Sequence, residues 1–137
     1  MRFLFSTLLM ALFTIMAAAN RVECAGKAIM TKEDDVKDSV KYMDKKIKKF
    51  HDRYTLSLDG GRCTKNDVIY CKHNTLVTMC NLDRGGHRQI NLKLTRDGVK
   101  QLMEHCQSEY KGKKVTGGVY YNDDEHLSVI VQDETSC

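Results

Sequence analysis

Six cysteines constrain this chain more than any other feature, because they follow an N-terminal run suited to export. Arg2 precedes an apolar stretch over residues 3–16, interrupted by Ser6, Thr7 and Thr14, and Ala17-Ala18-Ala19 closes it. A charged start, an apolar middle and a small-residue exit are the parts of a secretory signal peptide, expected over residues 1–19. The apolar run is shorter than the roughly 20 residues that span a bilayer, which argues against a membrane anchor. Cleavage after Ala19 keeps Cys24, Cys63, Cys71, Cys80, Cys106 and Cys137 together as an even set. Such a set in an oxidising compartment implies three disulfides, with the pairing left open by the sequence. Each bridge is expected to contribute about 2–4 kcal/mol, chiefly by restricting the unfolded chain.

Residues 20–30 carry no clear pattern and read as an extended arm, leaving 31–137 as a single domain. Val36, Val40, Met43, Ile47, Phe50 and Tyr54 then recur at alternating steps of four and three. That is the apolar stripe of an amphipathic helix. Thr31 is placed to cap it, Glu33, Asp34 and Asp35 fall in its first turn, and lysines crowd its end, all in accord with the helix dipole. Gly60-Gly61 marks a loop over residues 56–62. Residues 68–72 and 76–82 read as a hairpin joined by His73-Asn74-Thr75. Residues 90–94 alternate and read as a short strand. Val99, Leu102, Met103, Cys106 and Tyr110 predict a second helix over 96–110, capped by Thr95 and stopped by Gly112. Residues 115–121 and 127–131 then predict a second hairpin around the acidic loop Asn122-Asp123-Asp124-Glu125-His126. Gly117-Gly118 suggests a bulge or a close backbone approach. The expected fold is α+β: a two-layer αβ sandwich of order αββαββ, disulfide-stapled. Two helices would pack on one face of a four-stranded antiparallel sheet, leaving the other face polar or partner-bound.

No sequence motif assigns a chemistry. The formal net charge of +4 is mildly basic, which permits contact with anionic surfaces without requiring it. Lys45, Lys46, Lys48 and Lys49 form the densest basic run, with Lys113 and Lys114 a second. Either can be the solvated face of its element or a docking patch for head groups, cell-wall polyanions or an acidic protein. Nucleic acid is disfavoured, since aromatic residues do not interleave with the basic ones. The five histidines show no paired metal spacing and no Cys-x-x-Cys occurs, so neither metal nor cofactor is expected. The loop Arg84-Gly85-Gly86-His87-Arg88 would suit a protease inhibitor, although two glycines argue against a rigid loop. A ribonuclease-like scaffold needs a carboxylate, a histidine and an arginine converging on one sheet face. His87, Arg88, Glu104, Glu125 and His126 supply those types.

Some of these pieces resemble the small killer toxins secreted by smut fungi and the toxin-like effectors of plant-associated fungi. They are Ile69-Tyr70-Cys71 followed by Met79-Cys80, the segment Met103-Glu104-His105-Cys106, and the closing Gly117-Gly118-Val119-Tyr120-Tyr121. They span residues 68–131. The resemblance implies a compact αβ sandwich and a secreted, monomeric, non-enzymatic protein. It would bind a protein or surface component of a host or competitor cell, with at most transient contact to anionic membrane or cell wall. Lys45, Lys46, Lys48, Lys49, Arg84, His87, Arg88, Lys113 and Lys114 are the candidate contact residues.

Overall fold

The computed structural model describes residues 20–51, 55–65 and 68–137. The expected signal peptide and Tyr54, the last residue of the first apolar stripe, lie outside them. Among the described residues, no helix is long and apolar enough to cross a membrane.

The elements are β1 (Asn20–Cys24), a 3-10 turn (Lys27–Ile29), β2 (Thr31–Lys32), α1 (Glu33–Phe50), β3 (Thr55–Leu58), β4 (Tyr70–Lys72) and β5 (Thr75–Asn81). They continue with β6 (Arg88–Asn91), α2 (Leu92–His105), β7 (Ser108–Tyr110), β8 (Lys113–Thr116), β9 (Gly118–Asn122) and β10 (Leu127–Asp133). Among the described residues the class is α+β, with two helices and antiparallel strands. Among the described residues, the expected single four-stranded sheet is replaced by three. The largest runs β1-β9-β10-β5-β4, and β2-β8-β7 and β3-β6 are separate. The order αββαββ therefore fails at its start, where the presumed arm is an edge strand. Arg21 and Glu23 of β1 are exposed. A strand with polar side chains on its open positions carries no apolar alternation to read.

Register places Tyr70, Val77, Met79, Val129, Val131 and Tyr120 on one face of the large sheet, and both helices cover that face. Gly98 of α2 lies so close to Tyr120 and Val129 that a Cβ would sit 2.7 Å and 2.9 Å from them. Thr95 Oγ1 reaches Met79 Sδ at 2.9 Å, and Tyr42 of α1 meets Tyr70 edge-on at 5.6 Å. Val36, Met43, Val99 and Leu102 are wholly buried between the layers. Arg96 Nη1 donates to Asp44 Oδ1 at 2.8 Å and ties the helices together. Burial opposes the Arg96 charge, yet its hydrogen bonds to Asp44 and Asp97 outweigh it and keep the guanidinium firmly protonated.

Local chemistry moved several boundaries. Lys32, not Thr31, is the N-cap of α1, and it has no side-chain cap hydrogen bond. Thr31 is buried instead, 2.6 Å from the Thr75 hydroxyl. The second helix starts four residues before residue 96, because Asn91 accepts from the Lys93 N–H at 2.7 Å and caps it. The predicted strand at 90–94 therefore ends at Asn91, and Thr95 is a buried helix residue. Tyr110 leaves the helix for β7, and Gly112 is a hairpin residue rather than a helix stop. Lys111 and Gly112 both have positive φ, 51° and 74°, as a tight hairpin turn between β7 and β8 needs. The first hairpin turns the same way at His73 and Asn74. The loop expected at 56–62 includes residues 56–58 of β3.

Residues 115–121 do not form one strand. The chain crosses from β8 to β9 at Gly117-Gly118. Gly118 has φ of 148°, and a Cβ there would lie 2.2 Å from the Glu23 carbonyl oxygen of β1. Gly118→Ala is therefore expected to cost about 1–3 kcal/mol in backbone strain. Urea unfolding checks it, and a change within about 0.5 kcal/mol, the range of a neutral surface substitution, would contradict the packing described.

Candidate functional site

The basic end of α1 is the first candidate. Lys45, Lys48 and Lys49 are exposed and Lys46 is half-buried. Helical spacing puts Tyr42, Lys45, Lys46 and Lys49 on neighbouring surface positions. The fold adds a residue from elsewhere. Lys72 of β4 stands 5.2 Å from the Tyr42 ring, and Lys46 stands 4.8 Å from the same ring. Two ammonium groups thus share one aromatic ring, and Lys49 lies 5.6 Å from the ring of Phe50. Phe50 is 41% exposed, so an apolar side chain stands among the cations. The nearby carboxylate of Asp44 is engaged by Arg96, and Asp38 by Lys41 at 3.2 Å. Beneath the patch, burial first and then the charges of Asp38 and Asp35 push the Tyr70 phenol above its ordinary range.

The second lysine pair does not join this patch. Lys113 and Lys114 line a shallow groove with Lys32, Glu33, Asp34 and Lys37, at the other end of an 18-residue helix. Along α1 that is about 12 Å from Lys37 to Lys45 and about 24 Å from Glu33 to Lys49, at roughly 1.5 Å per residue. Lys37 is bound to Glu33 at 3.1 Å and to Asp34 at 3.7 Å, so acidic residues dilute the positive charge of this groove.

The loop at 84–88 is more ordered than its glycines suggest. Asp83 Oδ1 accepts from the Gly85 N–H at 3.2 Å, and the Gly86 N–H donates to the Asp83 carbonyl at 3.3 Å. Wholly buried Asn81 underlies it. Asn81 Nδ2 donates to the Leu58 carbonyl at 3.1 Å and to the Gly86 carbonyl at 2.8 Å, while its Oδ1 accepts from the Asp83 N–H at 3.0 Å. Arg84 is left exposed. Arg88 starts β6 and pairs with the acidic loop, 3.8 Å from Glu125 Oε2 and also on the Glu125 carbonyl. Arg21 lies 3.4 Å from Asp123. Arg88 therefore ties the basic loop to the acidic one, and Arg21 of β1 also meets the acidic loop.

His87 is held by Asp59 and Ser57, which belong to no motif in the sequence. Its Nδ1 lies 3.0 Å from Asp59 Oδ1, and its Nε2 is within hydrogen-bond reach of the Ser57 hydroxyl. The signal for this was the period-two run Thr55-Leu56-Ser57-Leu58, in which Leu56 and Leu58 turn inward and Ser57 stays exposed. Of the residues a ribonuclease would use, Arg88 and Glu125 meet, His87 is engaged by Asp59, and Glu104 stands on α2. Among the described residues, no group of three or more His, Cys, Asp and Glu side chains is placed to hold a metal ion.

The cysteines pair as Cys24–Cys106, Cys63–Cys80 and Cys71–Cys137. The first ties β1 to the end of α2, the second crosses neighbouring chain segments, and the third pins the C-terminal tail to β4. No family model, curated protein or solved structure matches the chain.

Proposed function

We propose that this chain is a secreted protein of the killer-toxin-like kind, acting on a host or competitor cell by binding an anionic component of its surface. The meeting of Lys72 with the α1 lysines around Tyr42 is the observation that most supports this reading. Charges remote in sequence concentrate on one face beside exposed Phe50, and their local carboxylates are occupied elsewhere. Ammonium groups over aromatic rings, with an apolar side chain between them, suit an acidic protein surface or a layer of anionic head groups. Three disulfides hold the scaffold, as an exterior rich in proteases would favour.

Purified disulfide-intact protein applied to host or competitor cells tests the reading. The expected result is growth arrest or a defence response. A variant carrying Lys45→Glu, Lys49→Glu and Lys72→Glu should need at least about tenfold more protein, the lower end of electrostatic steering effects. Equal potency would remove the patch, and no response at high dose would remove the toxin-like reading.

The hydrogen bonds beneath Arg84 favour a second reading, an inhibitor presenting that arginine to a protease with an acidic specificity pocket. A protease panel separates the two. Inhibition lost on Arg84→Ala would support the inhibitor, and none at micromolar protein would discard it.

A further inference from the structure

The geometry points to a hydrolytic site made by Ser57, His87 and Asp59, and we propose that it transfers and hydrolyses acyl groups from small esters. The proposal does not rest on the basic patch, which shares no residue with it. The two-stranded β3-β6 sheet pairs Ser57 with Gln89, so Ser57 and the residue after β3, Asp59, flank His87 just before β6. The imidazole then links a hydroxyl on Nε2 to a carboxylate on Nδ1. A carboxylate only accepts, so in the neutral imidazole Nδ1 carries the proton and Nε2 is left to accept from Ser57. That is the connectivity of a nucleophile, its base and the group that orients the base, which is recognised by geometry rather than by sequence order.

Two further features fit. Asn81 bonds the Leu58 and Gly86 carbonyls, each one residue before a member of the constellation, so it is a positioning residue for both strands. An open groove of about 540 Å³ runs beside Ser57 and Asp59, with Leu56 and Val68 as apolar lining and Arg62 and Lys65 as cations. The apolar lining would receive a short acyl chain. The cations would face the oxyanion that develops on attack.

The chemistry balances as hydrolysis. Ser57 Oγ forms a bond to the ester carbonyl carbon while its proton moves to His87 Nε2. Asp59 holds the resulting imidazolium by its Nδ1–H bond. The carbon–oxygen bond to the leaving alcohol breaks, and that oxygen takes the proton from Nε2. Water then gives a proton to Nε2 and attacks the acyl group on Ser57. The carboxylic acid departs and the Ser57 hydroxyl regains its proton. His87 and Asp59 side chains are 60% and 79% exposed, so bulk water competes with the groove. Slow turnover of activated short-chain esters is therefore expected, rather than amide cleavage.

A fluorophosphonate probe and p-nitrophenyl acetate test the proposal on full disulfide-intact protein. The probe phosphorus should be captured by Ser57 Oγ with loss of fluoride, and peptide mapping should find the adduct on Ser57. Ser57→Ala should abolish both the adduct and ester turnover. His87→Gln should lower turnover about 100-fold, the lower end for loss of a general base. Asp59→Asn should lower it too, because an amide no longer selects the reactive tautomer. Absence of a Ser57 adduct, under conditions that label a serine protease in the same tube, would overturn the proposal. So would ester turnover unchanged in Ser57→Ala, which would assign the reaction to surface lysines.

Discussion

Replacing Cys24 and Cys106 together by alanine is expected to lower folding stability by about 4.5 kcal/mol, from the chain entropy of the loop the bridge closes. That loop has a sequence separation of 82. The Cys63–Cys80 bridge, with a separation of 17, should contribute about 3 kcal/mol on the same relation. The larger effect has a local consequence as well. β1 is an edge strand whose residues are exposed except for half-buried Val22. Its anchors are the β9 ladder, the bridge and the Ala25 N–H bond to the Gly117 carbonyl at 3.1 Å. Few apolar contacts back these up. Without the bridge, β1 should fray ahead of global unfolding. Amide exchange along β1 and β9 should then rise sharply while β5 and β10 stay protected. A loss below about 2 kcal/mol, the lower end for bridges of this kind, would show that the denatured chain is not opened by removing it.

Asn81→Asp should destabilise by at least about 3 kcal/mol, although the side chains are nearly isosteric. Asn81 is wholly buried, and its amide nitrogen supplies donors to two carbonyls, those of Leu58 and Gly86. A carboxylate would set negative oxygen against both, in a place where water cannot relieve the repulsion. The introduced carboxyl should therefore hold its proton more tightly in the folded protein than in the unfolded chain. The folded state then binds more protons, so stability falls as pH rises. The defect should be smallest at and below the ordinary aspartate value of about 4 and largest near neutrality. Urea unfolding at several pH values measures this. A pH-independent loss below about 1 kcal/mol would contradict the arrangement around Asn81.

Elements whose own spacing carries the signal were legible. The stripe through Val36, Met43 and Ile47 announces α1, and the two runs around His73-Asn74 announce β4 and β5. The termini of α2 were not, because two local features look alike in sequence. Tyr110 continues the apolar spacing from Cys106, yet the chain turns out of the helix at Cys106, where the bridge to Cys24 is made. Gly112 reads equally well as a helix stop or a hairpin residue, and only the partner strand decides. The close approach at Gly117-Gly118 is announced by the paired glycines, but that β1 is what approaches there depends on long-range pairing, which has no local trace. The same holds for the candidate sites. The α1 lysines are visible in the sequence, whereas Lys72 reaches them only through β4. His87 was visible as a loop residue, while its partners Ser57 and Asp59 were hidden in a segment read as loop.

The claim that this protein acts by binding through the basic end of α1 is tested most directly by the salt dependence of its adsorption to target cells. Wild type and the variant carrying Lys45→Glu, Lys49→Glu and Lys72→Glu would be compared, with thermal unfolding confirming equal folding. Raising salt from about 0.1 M to about 1 M shortens the screening length from about 10 Å to about 3 Å. Wild type should bind at low salt and be released at high salt, while the variant binds weakly throughout. Equal, salt-insensitive adsorption of both proteins would contradict the account and move the contact surface elsewhere on the fold.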